Sequence, residues 1–456
     1  MKRLISILLC AIAVVSSCTG SAPYKPETPG NPNTTTDDPK DDKPEDGLNT
    51  PLTFVSTGFI HLSLQDRGTP AAISLEISYD SKSWSPYTIG DIIHLGDNEK
   101  VSFRAQSTNS IISSSHDDYY RFYIGGSGTV AAYGNIMSLV DKSLKSTTIP
   151  SKYCFHRLFQ FSESLTQAPL LPATKLDKRC YACMFEGCTS LTEAPKLPAT
   201  SLEEMCYYSM FEDCSSLTKA PELPTTAITG AGYGCYERMF AGCTSLTEAP
   251  KLPATTLAED CYSGMFGRCT SLTKTPELPA KSLAPYCYDL MFYNCTSLTE
   301  APELPAASMA DGCYSGMLAG CTGLTKAPKL PATKLAPFCY QDMLSECINL
   351  TEAPELPATT LAEACYDHMF SQCTSLTKAP ELRATTLAAR CFWGMFYQCR
   401  NLSYVKTMFT SGDPEMFAYW LEGVASTGTF VKNAKCTLSN SEMGIPSTWT
   451  VTTATN

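Results

Sequence analysis

Paired cysteines recur along this chain at a fixed spacing. The stretch CYSGMFGRCTSLTKTPELPA, residues 261–280, holds Cys261 and Cys269 eight residues apart, and close copies of it precede and follow it at a step of 26 residues, once 29. The first cysteine of each pair stands at position 180, 206, 235, 261, 287, 313, 339, 365 or 391. Cysteines can bind metal, act as nucleophiles, form disulfides or fill a core, and the pattern has to be tested against each role.

Metal binding and catalysis are disfavoured. The only C-x-x-C is Cys180 and Cys183, with no nearby histidine to complete a tetrahedral zinc site. A cysteine nucleophile needs an orienting histidine, but the five histidines, at 61, 94, 116, 156 and 368, occupy no recurring position, and we expect His368 to face solvent. No carboxylate pair, phosphate loop or serine elbow stands out. The sequence therefore predicts a protein that is not an enzyme and has no metal site or cofactor.

The cysteines are better explained as packing residues. On one continuous helix, residues eight apart lie ~12 Å apart, beyond the ~7 Å limit for a disulfide. Disulfides between neighbouring repeats stay open, because an exported protein meets an oxidising environment. Cys154 continues the series backwards, but Ser162 stands where its partner would be. We therefore expect buried thiols.

The repeats indicate a solenoid. Ten units cover residues 150–405 on the template LPATTLAxxCYxxMFxxCTSLTxAPx, and a fixed period of 20 to 50 residues is typical of stacked coils. Apolar residues spaced by four predict a short helix with one buried face, as at Leu257, Cys261, Met265 and Cys269. Paired prolines then limit the next segment to a short extended arm. The expected fold is an α/β solenoid of leucine-rich-repeat type, with a short helix and a short extended arm in each 26-residue coil.

Charges on the extended arms support stacking in register. The residue after the S-L-T motif alternates in sign along eight units, at Glu193, Lys219, Glu248, Lys274, Glu300, Lys326, Glu352 and Lys378. Parallel arms would place neighbouring side chains ~4.8 Å apart, where opposite charges attract weakly. Duplication of a two-coil block would produce the same alternation. Both explanations require repeats.

The flanks predict two smaller parts. Residues 51–135 show period-two alternation at Ile73, Leu75, Ile77 and Tyr79, and again at Val101 and Phe103, with a turn at 96–98, which predicts an Ig-like antiparallel β-sandwich. Trp84, Tyr87 or Tyr119 could serve there as glycan-stacking platforms, although aromatic residues more often fill a core or a junction. Residues 406–456 predict a C-terminal cap. It combines a helix capped by Asp413 and Pro414, with the stripe Phe417, Trp420, Leu421 and Val424, and a strand at 428–431.

The N-terminus predicts export and a lipid anchor. Lys2 and Arg3 precede a short apolar run, and small residues lead into Cys18. This pattern is similar to a bacterial lipoprotein signal, with 1–17 removed and Cys18 lipidated; a plain secretory signal is the alternative. Residues 18–50 are polar and proline-rich and predict a disordered linker. Its aspartates, at 37, 38, 41 and 42, lack the spacing of a calcium loop. The net charge of −11 disfavours nucleic acid as a partner.

The repeat motif resembles a known family. The segment M-F-x-x-C-T-S-L, as at 265–272 and 369–376, with the proline segment after it, is similar to BspA-type leucine-rich repeats of Bacteroidetes surface lipoproteins. The resemblance covers about 255 residues, and it implies a right-handed solenoid on a cell-surface protein that adheres to host matrix proteins or to other bacteria. The unit differs from the family's commonest one, which is nearer 23 residues, and has an added Cys-Tyr. Cys18 also lacks the acidic residues that often follow it in surface-displayed members, so the periplasmic face stays open.

The expected function is therefore adhesion or another protein–protein interaction of an outer-membrane lipoprotein, through its solenoid. Aromatic side chains in variable slots of the template form the candidate protein-binding surface, a stripe ~45 Å long. The alternative is a glycan-binding lipoprotein with the β-sandwich as reader and the solenoid as spacer. The candidate binding residues are Tyr208, Tyr286, Tyr293, Phe338, Trp393 and Tyr397.

Overall fold

A computed structural model describes residues 47–108, 112–228 and 232–454. The predicted signal peptide, the lipidation site Cys18 and nearly all of the linker lie outside this range, as do Gly230 and Ala231 of the longer repeat step. The described residues form strands, turns and two 3-10 helices, and they contain no α-helix. Within them, no helical segment has the length and hydrophobicity to span a bilayer.

Two antiparallel sheets form the N-terminal part. Strands β4-β3-β6-β1-β8 are joined antiparallel in one sheet, which adds β9 in parallel, and β5-β2-β7 form the other. The predicted antiparallel sheets are thus confirmed, while the Ig-like subtype stays a prediction. The strands are β1 Leu52–Thr57, β2 Ile60–Arg67, β3 Leu75–Ser78, β4 Ser85–Tyr87, β5 Ile93–Leu95, β6 Lys100–Ala105, β7 Tyr119–Gly126, β8 Thr129–Tyr133 and β9 Leu165–Gln167.

Aromatic side chains fill the space between these sheets. Phe54 of β1 lies 4.9 Å from Phe122 of β7 and 5.8 Å from Phe103 of β6, measured between ring centroids, and all three are buried. Phe159 of the first repeat stacks on Phe122 at 5.4 Å. The core of the sheets therefore runs without a break into the core of the solenoid.

The segment between the paired cysteines is a chain of turns, which we call the turn arm, so the predicted short helix is wrong. We number the coils from 1, which holds Cys154, to 10, which holds Cys391, and count positions from the first cysteine. In every coil, positions −1, +3 and +7 have positive φ, as at Asp260, Gly264 and Arg268 of coil 5, with φ of +53°, +60° and +65°. An α-helix has negative φ throughout. The arm instead turns a corner at every fourth residue.

Backbone hydrogen bonds show how the arms stack. In coil 5 the N–H groups of Asp260, Tyr262, Gly264, Phe266 and Arg268 donate to carbonyls of coil 6. The residues between them donate back three positions within the arm, as Met265 does to Tyr262 at 3.2 Å. Each coil therefore needs the next one to satisfy half of the amides in its arm. This dependence explains why such a unit is built as an array.

Side chains stack in register inside the arms. The tyrosines at +1 form a column from Tyr181 to Tyr366, with neighbouring ring centroids 5.7–6.0 Å apart. The cysteine at +8 donates its S–H to the carbonyl at +5 of the preceding coil, as Cys269 does to Phe240 at 3.1 Å. That carbonyl is not used by the ladder between coils. The recurring cysteines are therefore both filling and hydrogen-bond donors.

The extended arms pair in parallel and are short, as expected. Single bridges join Glu193 to Lys219, Glu248 to Lys274 and Lys326 to Glu352, which places the alternating charges in register. The Nζ of Lys326 lies 3.9 Å from the Oε2 of Glu352. Coil 9 has Arg383 where other coils have the second proline. The strand there is longer, β10 Lys378–Leu382, and its pairing shifts register between Lys378 and Glu381, across the remaining Pro380.

The C-terminal part extends the stack. Residues 413–424 form an eleventh turn arm, coil 11, because N–H groups of Phe392, Gly394 and Phe396 donate to its carbonyls. Asp413 caps a 3-10 helix at Pro414–Phe417, so the predicted cap is confirmed and the predicted amphipathic helix is wrong. The strand expected at 428–431 is β12. A four-stranded parallel sheet continues the extended arms as β10, β11 Tyr404–Thr407, β12 Thr429–Lys432 and β13 Thr450–Thr453.

Candidate interaction surface

The outer corners of the turn arms carry the residues that vary between coils. The recurring Cys, Tyr, Met and Phe at 0, +1, +4, +5 and +8 face the core and are buried. The variable residues stand mainly at −1, +2, +3, +6 and +7, and we call the surface that they form the turn-arm face. Because coils stack ~4.8 Å apart, this face runs ~45 Å along the solenoid. The backbone hydrogen bonds between neighbouring turn arms hold the residues of this face in place.

The six predicted aromatic residues all lie on the turn arms, and each is half-buried. Tyr208 belongs to coil 3, Tyr286 and Tyr293 to coil 6, Phe338 to coil 8, and Trp393 and Tyr397 to coil 10. They do not form a continuous stripe, because coils without an aromatic residue on this face separate them.

Glycines in neighbouring coils explain the half-burial of some aromatic rings. A Cβ at Gly312 would lie 2.2 Å from the Tyr286 ring, so this ring leans over the next coil and rests on its backbone. His368 leans in the same way over Gly394. Where a large side chain of one coil lies over a glycine of the next, the turn-arm face is closely packed.

One part of this face brings predicted residues together. The Arg390 guanidinium lies 4.8 Å from the Trp393 ring centroid, the Tyr419 ring meets Trp393 edge-on at 5.6 Å, and the His368 ring lies 6.5 Å from the Tyr397 ring. Tyr419 is 57% exposed. These five residues, His368, Arg390, Trp393, Tyr397 and Tyr419, are called the coil 9–11 patch.

Buried charges support this patch from below. Asp367 is 1% exposed, accepts a hydrogen bond from Nδ1 of His368, and is 2.8 Å from a terminal nitrogen of Arg390. The hydrogen bond to Asp367 raises the pKa of His368. Burial raises the pKa of Asp342 to about 6, and the charge of Asp367 adds to the shift. His368 is therefore half-buried and paired, where the sequence predicted a solvent-facing side chain.

A second ion network lies on coils 3 to 5. Glu212 accepts from Nε of Arg238 at 3.1 Å and lies 3.5 Å from Arg268, which also meets Asp213 at 3.2 Å. The bond to Glu212 raises the pKa of Arg238, and burial raises that of Asp213. Because all four side chains have partners, this network stabilises the face and offers fewer free groups than the coil 9–11 patch.

The cysteines sit where their chemistry is suppressed. All those between Cys154 and Cys399 are buried and free, with no disulfide among the described residues. Burial raises the pKa of Cys261 and Cys269 to about 12, so the reactive thiolate is scarce at neutral pH. No group of three or more His, Cys, Asp or Glu in the described ranges is arranged to hold a metal ion.

Each predicted glycan platform contacts other side chains of the protein, and of the three only Tyr87 is buried. Tyr87 is buried, and its hydroxyl bonds Leu64 and Asp91, so it cannot stack on a sugar. Arg104 lies 3.9 Å over the Trp84 ring. Tyr119 packs at the junction with coil 1, edge-on to His156 at 5.7 Å and under Arg157.

A different aromatic surface occurs on the outer face of the three-stranded sheet. Phe59 stacks on His94 at 5.9 Å, and His61 lies 6.0 Å from Tyr123. Phe59 and Tyr123 are exposed, and His61 and His94 are cross-strand partners. We call these four residues the sheet patch. Sequence reasoning missed it, although the alternation of His61 and Gln65 with buried Leu62 and Leu64 in β2 marks an outward face.

Comparison with known proteins adds no assignment: neither protein-family models nor curated proteins match this chain.

Proposed function

We propose that this protein is a non-enzymatic lipoprotein of the cell envelope that binds other proteins through its turn-arm face, centred on the coil 9–11 patch. The observation that carries the proposal is that Arg390 and Tyr419 both pack on Trp393. Tyr397 packs on His368, which shares the carboxylate of Asp367 with Arg390. Tryptophan, tyrosine and arginine dominate the binding energy of protein interfaces. The ladder between coils fixes these side chains before binding, which lowers the entropic cost of association.

The remaining parts of the proposal come from the sequence. Cys18 is the proposed lipid anchor to the outer membrane, and the linker holds the folded part away from the bilayer. The leucine-rich-repeat resemblance supports display at the cell surface and a protein partner from the host matrix or another bacterium. The periplasmic face is the alternative location.

A binding measurement tests the proposal. Full-length protein is presented to purified extracellular-matrix proteins and to bacterial surface proteins, and the affinity of each pair is measured by biolayer interferometry. The double variant Trp393→Ala/Tyr397→Ala is expected to weaken binding at least about tenfold, because anchors of this kind each contribute about 1–2 kcal/mol or more. Unchanged affinity in this variant would refute the turn-arm face as the binding surface.

A second candidate function is glycan binding, now at the sheet patch. Exposed Phe59, His94 and Tyr123 offer flat faces on a rigid sheet, and sugars stack on such rings. The variant Phe59→Ala/Tyr123→Ala is the matched control for the test above. If it abolishes a glycan-array signal while Trp393→Ala/Tyr397→Ala does not, the sheet patch is the binding site.

A further inference from the structure

Arginines without an acidic partner gather where the β-sheets meet the solenoid. Most arginines outside this region form ion pairs with carboxylates, as Arg104, Arg238, Arg268, Arg383 and Arg390 do. Within the described ranges the arginines of the junction form none, namely Arg67, Arg121, Arg157 and Arg179. In a chain of net charge −11, this concentration of unpaired positive charge calls for a partner from outside.

Two of these arginines lie on the outer face of the three-stranded sheet. Arg67 of β2 is the cross-strand partner of Tyr119 of β7. Arg121 stands two positions further along β7, so its side chain emerges on the same face. Burial and the charge of Arg67 lower the pKa of Arg121, and the charge of Arg157 adds to the shift. The arginines of the junction therefore lie close enough to repel one another.

The other two arginines lie on the turn arms of coils 1 and 2. The Arg157 guanidinium is 5.4 Å from the Tyr119 ring centroid, and that of Arg179 is 5.9 Å from the Tyr153 ring centroid. Both tyrosine rings meet the His156 ring edge-on, at 5.7 and 5.6 Å. Burial lowers the pKa of His156 to about 3, so this ring is neutral and links the two arginine–tyrosine stacks. We call the six arginine and tyrosine residues the junction patch: Arg67, Tyr119, Arg121, Tyr153, Arg157 and Arg179.

Groups of the protein itself leave the positive charge of the junction patch uncompensated. A terminal nitrogen of Arg157 lies 3.3 Å from Nε2 of His116, and its Nε–H is buried without an acceptor in the described part of the chain. The two carboxylates just before β7 are used elsewhere: Asp117 bonds Nδ1 of His116, and Asp118 accepts from the amide of Thr69. An anion from outside would supply the missing acceptor.

An exposed aromatic ring borders the junction patch. Tyr123 stands two positions beyond Arg121 on the same face of β7, ~7 Å along the strand, and it is 47% exposed. A flat ring beside a guanidinium suits a sugar that carries an anionic group. The sugar ring stacks on the tyrosine, while the guanidinium forms paired hydrogen bonds with the anion. An acidic peptide would use the arginines but not the ring.

We propose that the junction patch and Tyr123 bind an acidic polysaccharide, with sulfate groups paired to the arginines and a sugar ring stacked on Tyr123. Sulfate esters are ionised at every physiological pH. Their repeated charges along a polymer complement arginines that extend from β2 across β7 to coil 2. The inference rests on the glycan-binding candidate and deepens it, because it names the class of glycan and adds the arginines to the site.

Binding to heparin tests the class of ligand. Biolayer interferometry of the full chain should show binding to a heparin oligosaccharide, and binding at least about tenfold weaker after the oligosaccharide is desulfated. The affinity for heparin should also fall as salt is raised, because salt screens exposed charges. Equal affinity for the desulfated sugar would overturn the role of sulfate. Equal affinity for polyglutamate of the same charge would show that the surface selects charge and not a sugar.

Variants of matched charge test the residues. Arg157→Gln/Arg179→Gln should weaken heparin binding at least about tenfold. Lys326→Gln/Arg400→Gln removes the same two charges on coils 7 and 10 and should change the affinity less than about twofold. Arg67→Gln replaces an exposed side chain, so it tests the site even if the double variant does not fold, and it should weaken binding about threefold. Unchanged affinity in the arginine variants would overturn the proposal.

The sheet-patch variant separates this inference from the function on which it rests. If Phe59→Ala/Tyr123→Ala abolishes binding to arrayed neutral glycans, while the arginine variants bind heparin unchanged, the glycan-binding candidate stands and the junction patch is refuted. If the unsubstituted protein binds neither heparin nor any arrayed glycan, both are refuted.

Discussion

At the scale of single residues, the cysteine at +8 explains why the repeat keeps sulfur. Its side chain fills a site with no exposure and donates to a carbonyl of the preceding coil that accepts no backbone amide from a neighbouring coil, only one from within its own arm. The first cysteine of the coil is also buried, but its contact to the next coil is longer, 4.0 Å from the Sγ of Cys261 to the carbonyl of Cys287. The two recurring cysteines therefore contribute differently to stability.

Alanine substitution should reveal this difference. Cys269→Ala removes packing and also leaves the Phe240 carbonyl without its S–H donor, so we expect a loss of about 1–3 kcal/mol in the free energy of unfolding. Cys261→Ala removes similar volume and should cost less. Urea denaturation followed by circular dichroism measures both. Equal losses would show that the S–H bond contributes nothing.

The Asp342 and His368 pair should make stability depend on pH. Both pKa values are raised in the folded protein, so the folded chain binds these protons more tightly than the unfolded chain. Tighter proton binding by Asp342 contributes fully to the free energy of unfolding below pH of about 4, and this contribution is lost as pH rises through about 6. For His368 the loss begins near pH of about 6.5 and continues above it.

The variant Asp342→Asn removes the contribution of Asp342 to the pH dependence of stability. The amide stays neutral, so the variant should gain stability over the unsubstituted protein as pH rises from about 4 to about 7. Thermal unfolding at several pH values gives the difference in Tm. A difference that does not change with pH would refute the raised pKa of Asp342.

At the scale of elements, the turn arm is the main departure from the sequence-based expectation. Apolar pairs at 0, +1, +4 and +5 fit an α-helix of 3.6 residues per turn almost as well as a chain that turns at every fourth residue. The turn arm is only nine residues long, which is too short for the apolar pattern to distinguish the two periods. The distinguishing signal was the recurrence of Gly and Asn at +3 and +7, as at Gly187, Gly264, Asn294 and Gly320. Such residues tolerate positive φ.

Other elements were predictable because their signals are local or strictly periodic. Proline pairs limited the extended arms, alternating charges located their register, and period-two alternation predicted the antiparallel sheets. The coil 9–11 patch could be foreseen only in part. Trp393 and Tyr397 stood out as aromatic residues in variable slots, but the contribution of Tyr419 depends on an eleventh arm that the template does not show.

A glycine substitution tests the turn arm directly. Gly316 has φ of +56°, and a Cβ there would lie 2.5 Å from Cδ2 of Leu290, so Gly316→Ala should destabilise the protein by about 1–3 kcal/mol. Ser315→Ala, one position earlier and without positive φ, should have little effect. Denaturant midpoints compare the two. A regular helix would reverse the order, because alanine is preferred over glycine in helices.

At the scale of the whole molecule, the potentially reactive cysteines are buried in the core, whereas the residues proposed to bind a partner lie at the surface. The interior is a stack of tyrosine, phenylalanine and cysteine columns that meets the core of the β-sheets at coil 1 and is closed at coil 11 by Phe417 and Trp420. The variable residues, and the charges that pair on Asp367 and Glu212, occupy the outer corners. Any solvent-borne reagent should therefore reach the turn-arm face but not the sulfur columns.

Native-state thiol counting by mass spectrometry tests this arrangement most directly. Protein that has never met a reductant is treated with iodoacetamide, either folded or in guanidinium, and the modified cysteines are mapped. The stacked solenoid predicts that cysteines from Cys154 to Cys399 stay unmodified when folded and are all alkylated when unfolded. Alkylation of these cysteines in the folded protein, or disulfides that keep them unmodified in guanidinium, would contradict it.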